Sequence, residues 1–223
     1  MNIVKSSFRV ITPIANGAIS ELQRIELPTR LCYKSENKIT PDGESAKKII
    51  KTLIDNDHLA MLEHSSITVI FVTSRGVSHK LVRHRIASYA QESTRYCNYS
   101  NEKFTNKLTF IDPLEEIEWD SKMGNLSAKE KLDTALQMTM FYKKAEIEYL
   151  ELIKKGVPPQ IAREILPNGL KTEIALTCNY RELIAIFKLR CAKNAHPAMR
   201  ALMVPFAKYM QEQIPYIFGN IEV

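Results

Sequence analysis

Residues 79 to 96, His79-Lys80-Leu81-Val82-Arg83-His84-Arg85-Ile86-Ala87-Ser88-Tyr89-Ala90-Gln91-Glu92-Ser93-Thr94-Arg95-Tyr96, gather most of the groups able to do chemistry. Leu81, Val82 and Ile86 recur near a helical turn and predict helix for the first half. A helix splays Arg83, His84 and Arg85 by about 100° each, so the three serve a large ligand wrapped around the turn rather than one partner from one side. The second half changes period. If extended, it puts Gln91, Ser93 and Arg95 on one face and Ala90, Glu92 and Thr94 on the other. An amide, a hydroxyl and a guanidinium in a row suit a polar, anionic molecule. The plainer alternative is a solvated basic helix followed by an edge strand.

A second set lies far along the chain. Asn179 and Glu182 form a capping-box pattern that opens a helix running through Arg190. Leu183, Phe187 and Arg190 fall at i, i+4 and i+7, so an arginine extends an apolar face. That placement is rare unless the arginine is paired or bound to something buried. Arg163, with Glu164 beside it, reads equally as an ion pair or as a ligand. His58, Glu63 and His64 lack the helical His-Glu-x-x-His spacing, so a capping turn is the expectation and no metal is expected.

Cys32, Cys97, Cys178 and Cys191 contain no Cys-x-x-Cys pair, which argues against disulfides and a structural zinc. A nucleophilic cysteine at 97, 178 or 191 would need a paired base, and none is evident in the sequence. There is no Gly-x-Gly-x-x-Gly and no phosphate loop ending in Lys-Ser or Lys-Thr, so a dinucleotide would have to be held by arginines.

The elements that must position these groups can be read around them. Residues 8 to 11 predict a short strand. A helix is expected from about Ala18 to Leu27, stopped by Pro28. The next helix has Thr40 as cap, Pro41 at its first position and a stripe of Ala46, Ile49, Ile50, Leu53 and Ile54. Residues 65 to 74 alternate as a strand buried on at least one face. Residues 98 to 126 read as an irregular excursion. A long helix spans Ser127 to Lys155 with a core stripe of Leu132, Ala135, Met138, Tyr142, Ala145, Tyr149 and Leu152, and its length suits a helix–helix subunit contact. Gly156-Val157-Pro158-Pro159 breaks it before a short helix that Pro167 ends. A strand follows from Leu170 to Cys178. The last helix, from Pro197 to about Gln213, is interrupted by Pro205, with His196 and Arg200 in packing and capping roles.

The chain has 223 residues with 45% hydrophobic and 25% charged residues, ordinary values for one globular domain over 1–223. The net charge of +6 suits an anionic substrate but is too dispersed to call for nucleic acid. No apolar run approaches a membrane span and no signal-peptide pattern opens the chain, so a reduced, cytoplasmic protein is expected. The fold class expected is α+β, a small, mostly antiparallel sheet packed with several helices.

Arg-His-Arg, seven residues, Ser, then Arg two further on resembles the signature of flavin-dependent thymidylate synthases. The likeness runs through fourteen positions from Arg83 to Tyr96 and includes Ile86-Ala87-Ser88-Tyr89. His58 followed by Glu63-His64, Gly156-Val157-Pro158 with Ala162-Arg163 and Leu166-Pro167, and Asn179-x-Arg181-x-Leu183 with Leu189-Arg190 also resemble that family. Ala60 and Ala185 stand where the family carries polar side chains. The resemblance implies reductive methylation of dUMP to dTMP, with methylenetetrahydrofolate as carbon donor and NADPH as reductant through bound FAD. It also implies a homotetramer with shared active sites. It assigns His58, Arg83, His84, Arg85, Gln91, Asn179, Tyr180 and Arg181 to the flavin. To the nucleotide it assigns Lys80, Arg83, Gln91, Glu92, Ser93, Thr94, Arg95, Arg163 and Arg190, with Arg190 polarising the uracil ring. A non-enzymatic RNA-binding module would account for arginines near Tyr89, Tyr96 and Tyr99. It would not account for Arg190 on a core face.

Overall fold

The computed structural model describes residues 1–14 and 18–223. Along the chain run β1 (Asn2–Val4), β2 (Ser7–Val10), α1 (Ile19–Cys32), α2 (Glu44–Asp55), β3 (Ser66–Ser74), α3 (Arg75–Leu81), β4 (Ala87–Gln91), β5 (Thr109–Ile111), α4 (Pro113–Trp119) and α5 (Ala128–Lys154). After these come α6 (Pro159–Ala162), β6 (Lys171–Asn179), α7 (Tyr180–Arg190), α8 (Pro197–Gln213) and α9 (Pro215–Phe218).

Period-two alternation builds the centre. β2, β3, β6 and β4 form an antiparallel sheet in that order, with Val69 opposite Leu176 and Tyr89 opposite Leu176 from the other side. Ile67, Val69 and Phe71 on β3 and Ile174, Leu176 and Cys178 on β6 are buried on one face, against Leu22, Ile50, Leu183, Phe187 and Phe206 from the helices. The opposite face, with Thr68, Ile70, Ala175, Thr177, Ser88 and Ala90, is only half-buried or exposed. β1 and β5 pair in parallel apart from this sheet, and a smaller core of Leu108, Phe110, Tyr142 and Tyr149 packs them on α5. The fold is therefore α+β with a small, mostly antiparallel sheet, as expected. Among the described residues no helix is long and apolar enough to cross a membrane.

Several boundaries differ from expectation. Pro28 does not stop α1, which continues to Cys32 because its buried face continues through Ile25, Glu26 and Thr29. Pro205 likewise sits inside an unbroken α8. In both, packing of the flanking turns outweighs the one hydrogen bond that proline removes. α2 is entered through Gly43 at φ 78° rather than through Thr40 and Pro41, which form the turn before it. Thr40 Oγ1 still accepts from Ser45 N–H at 3.1 Å. The long helix keeps its predicted ends, since Ser127 and Glu130 make a full capping box. Its predicted stripe does not hold throughout: Ala135, Tyr142, Ala145 and Tyr149 are buried, whereas Leu132 and Met138 are exposed. The supposed irregular excursion contains β5 and α4, the latter capped by Asp112.

Two carboxylates, Glu21 and Glu26, are buried on α1, and no pattern of spacing marks them. Glu21 is 2% exposed and accepts from Ser65 Oγ at 3.0 Å and Tyr180 OH at 3.1 Å, joining α1 to the start of β3 and of α7. Arg24 pairs with it at 3.2 Å. Glu21→Ala strands both hydroxyls in the core and is expected to cost about 2–4 kcal/mol, whereas Glu21→Gln keeps an acceptor and costs less. Urea denaturation of the three proteins measures the difference.

Candidate functional site

The motif is built around the end of a short helix. Ser74 caps α3, its Oγ accepting from Val77 N–H at 3.3 Å. α3 ends at Leu81, so Arg83, His84 and Arg85 lie in a turn and not on the helix predicted for them. The reason is tertiary. Tyr89 OH lies 2.7 Å from the Leu81 carbonyl and 3.0 Å from the His84 carbonyl, and β4 must enter register with β6 at Ala87. Val82 and Ile86, expected on an apolar face, are 42% and 68% exposed. The three side chains still diverge from one short stretch, now through a turn.

Arg190 docks onto this turn from the last residue of α7. Its Nε donates to His84 Nε2 at 2.9 Å and its Nη2 to the Lys80 carbonyl at 3.2 Å. It sits on the apolar side of α7 with Leu183 and Phe187, as its spacing predicted, and its partner is an imidazole instead of an acid. Burial, followed by the charge of Arg190, holds His84 below the ordinary imidazole range. Burial lowers Lys80 too, and Arg190 adds to the shift against the pull of Glu116. Arg190 is itself disfavoured as a cation by burial and by Arg83. Crowded cations that disfavour one another mark a place where an anion is welcome.

A cavity of about 570 Å³ opens beside this cluster, lined by His79, Lys80 and Arg83 on one side and by Glu116, Tyr142 and His196 on others. His196 does not cap α8 with its side chain; it lies 3.3 Å from Glu116. Arg200 does act as a cap, donating to the carbonyl of Cys191 just beyond α7 at 3.2 Å and stacking over Trp119.

The remaining assigned residues fall into three groups. His58 and Arg181 line one cleft of about 330 Å³ with Tyr33, Leu59, Ala60 and Met61. His58 ends the loop after α2, and its backbone N–H bonds the Leu53 carbonyl at 2.8 Å; Arg181 pairs with Glu63 at 2.6 Å. Asn179 caps α7 by accepting from Glu182 N–H at 2.8 Å, and Tyr180 is buried against Glu21. Gln91 and Glu92 are tied inward. Gln91 Nε2 donates to Ser78 Oγ at 2.8 Å, while Glu92 accepts from Tyr99 OH at 3.0 Å and Lys171 Nζ at 3.1 Å.

Ser93, Thr94 and Arg95 are not extended as expected, because the strand ends at Gln91. They form a turn closed by Cys97 N–H on the Ser93 carbonyl at 2.9 Å. Arg163 Nη1 donates to Thr94 Oγ1 at 3.2 Å, which brings two sequence-distant members of the nucleotide set together. The alternative ion pair with Glu164 is present as well, at 3.3 Å.

Cys178 and Cys191 are buried and their thiols are pushed up to about 12 and about 11, so neither is a nucleophile near neutral pH. Among the described residues no cluster of three or more His, Cys, Asp or Glu side chains could hold a metal ion. Sequence reasoning missed the contact of Glu182 with His84 and the pairing of Glu116 with His196. No periodicity marks either contact, because both join residues from separate elements.

Residues 19–216 match the family described as Thymidylate synthase complementing protein, Thy1. The chain belongs to that family. A flavin-dependent thymidylate synthase of Geobacter sulfurreducens is 34% identical over 201 residues, covering 88% of this chain and 80% of that protein. One from Corynebacterium aurimucosum is 31% identical over 214 residues, covering 94% and 84%. Among solved structures, a UMP/dUMP methylase, PolB from Streptomyces cacaoi, bound with 5-Br dUMP, superposes with a TM-score of 0.79 over 98% of this chain and 96% of that one. At 20% identity this likeness establishes a shared fold. Within this Thy1 chain the hydroxyl of Tyr89 braces the turn 81–84, beside the turn's own bond from His84 N–H to the Leu81 carbonyl at 3.1 Å. Tyr89→Phe leaves two carbonyls without that donor and is expected to cost about 1–2 kcal/mol. Hydrogen exchange at residues 82–86 should quicken more than exchange across β3.

Proposed function

We propose that this protein is a flavin-dependent thymidylate synthase that reductively methylates dUMP to dTMP, with methylenetetrahydrofolate as carbon donor and NADPH as reductant through bound FAD. The observation that carries the reading is the convergence of Lys80, Arg83 and Arg190 on one turn within a Thy1 chain. The dUMP methylase of the same fold and the thymidylate synthases among the relatives support dUMP as the substrate. Arg190 spends two of its donors on His84 and the Lys80 carbonyl, leaving N–H groups free for a ring acceptor. Uracil C5 becomes nucleophilic as negative charge builds on the ring, and a positioned guanidinium stabilises that charge. Ser93, Thr94, Arg95 and Arg163 suit the phosphate and sugar.

The donor set fits a flavin dinucleotide. The cleft of His58 and Arg181 sets an imidazole and a guanidinium against Tyr33, Leu59 and Met61. Arg83 and Arg85 make no ion pair among the described residues and remain available to a diphosphate. When bound, the flavin supplies the redox chemistry, passing on electrons from NADPH. At about 330 Å³ the cleft is near the lower limit of small-molecule pockets (roughly 300–1,000 Å³), so it takes one end of such a molecule.

The two halves of the nucleotide set stand at opposite ends of β4. Its five residues rise roughly 15 Å between the turn of Arg83 and the turn of Ser93. We infer a homotetramer in which one subunit contributes Arg190, Lys80 and Arg83 and another contributes Ser93, Thr94, Arg95 and Arg163. The half-exposed sheet face supports this, as does an apolar stripe on α5 of Leu132, Leu136, Met140 and Ile147, each between 46% and 61% exposed. Four free cysteines and a need for NADPH suit the reducing cytoplasm.

The purified protein should bind FAD, absorb as an oxidised flavoprotein and scatter light as a tetramer. A colourless monomer that takes up no FAD at micromolar concentration overturns the reading. Arg190→Ala should slow methylation by about 100-fold or more, and Arg190→Lys should recover a small part, since it lacks the planar fork. NADPH oxidation by the bound flavin, with oxygen as acceptor, should persist in both. Co-expression tests the shared site. Arg190→Ala and Arg163→Ala chains, each nearly inactive alone, should together restore about a quarter of the sites by random assortment. No gain over the separate variants would place both residues in one subunit's site.

A further inference from the structure

Glu182 enters the sequence pattern only as the third residue of α7, where its backbone N–H bonds the cap Asn179. Its side chain has another partner. Oε1 lies 3.4 Å from His84 Nδ1, with the two side chains 13% and 9% exposed. Across the same ring, Arg190 Nε donates to His84 Nε2 at 2.9 Å. A guanidinium offers donors only and stays protonated, so Nε2 must present its lone pair. The single proton of the neutral ring is then on Nδ1, the nitrogen facing Glu182.

We propose that Glu182 is a positioning residue: by favouring the proton on His84 Nδ1 it keeps Nε2 as the acceptor for Arg190, and thereby aims the free N–H groups of Arg190 at the nucleotide ring. The inference rests on the reading of Arg190 as the group that polarises the ring. Without the carboxylate the proton can move to Nε2, where it would confront the Arg190 N–H donor to donor and drive the guanidinium off.

The surroundings of His84 are consistent with a neutral ring. Arg190 and Glu182 reach it from α7, Lys80 lies at the end of α3, Arg83 and Arg85 flank it in the turn, and Tyr89 and Cys178 come from β4 and β6. Burial and the Arg190 charge oppose a second proton on the ring, and Glu182 is the acid that favours it. As pH falls the imidazole gains a proton on Nε2, so the hold on Arg190 is present at neutral pH and lost in acid. Burial raises the Glu182 carboxyl, yet an acceptor oxygen faces Nδ1 whether or not the carboxyl is ionised, which makes Gln a fair substitute.

The test uses the 223-residue chain labelled with ¹⁵N-histidine, with His84→Gln identifying the His84 signal among its five histidines. At pH 7, without nucleotide or added flavin, wild type and Glu182→Gln should carry the proton on Nδ1, and Glu182→Leu should move it towards Nε2. Turnover of dUMP should fall by about 100-fold in Glu182→Leu, as expected for a misaimed catalytic group, with nucleotide affinity changed about threefold or less. Glu182→Gln should recover most of the rate. Its acid limb should shift to lower pH, since the charge that favours the imidazolium is gone.

A wild-type ring protonated on Nε2 overturns the proposal. So does a Glu182→Leu protein in which tautomer and turnover do not change together. If Glu182→Leu does not fold, the wild-type tautomer and the direction of the Gln shift decide the matter. Absence of dTMP formation by the wild type would sink the methylation reading instead, and the tautomer would still be readable.

Discussion

A guanidinium bonded to a neutral imidazole joins residues 106 positions apart: Arg190 at the end of α7 and His84 in the turn after α3. Much of the site depends on that contact. It sets the end of the core helix against the motif, and it lets Arg190 sit on an apolar helix face without an opposing acid. Placing the same charge there unpaired would carry a heavy desolvation cost, because burial penalises the ion more than the helix face rewards it.

The sheet makes the contact possible. β3 and β6 pair over nine residues, and α7 leaves β6 directly at the Asn179 cap, with Tyr180 N–H bonded to the Ser65 carbonyl. β4 adds to the other edge of β6 and delivers the turn of Arg83, His84 and Arg85 to one end and that of Ser93, Thr94 and Arg95 to the other. A strand is stiff, so the two basic groups cannot collapse onto each other. This rigidity holds the two groups at opposite ends of one strand.

Buried acids on α1 complete the frame. Glu21 holds the start of α7 through Tyr180, while Glu26 is bonded to Arg30 and to Ser45 of α2. α7 is therefore anchored at its first residue by a polar contact in the core and at its last by the imidazole. The nine steps from Arg181 to Arg190 rise roughly 14 Å, so one helix reaches both the His58 cleft and the cation cluster.

Local chemistry determined a good deal. The capping box at Ser127 and Glu130, the Asn179 cap, the alternation of β3 and β6, and Arg190 on the apolar side of its helix all follow from side chains within a few positions of one another. The fourteen-residue motif was legible for the same reason, because its residue types and spacing lie in one continuous stretch. Tertiary structure decided the rest. Whether α3 stopped before Arg83 depended on a tyrosine hydroxyl from β4 and on the register of β4 with β6. Whether Pro28 and Pro205 ended their helices depended on what the following turns buried. The partner of Arg190, the contact of Thr94 with Arg163 and the approach of Glu182 to His84 join segments far apart in sequence. Polar contacts at 2.9 to 3.4 Å between such segments exist only once the sheet has fixed where its helices begin and end.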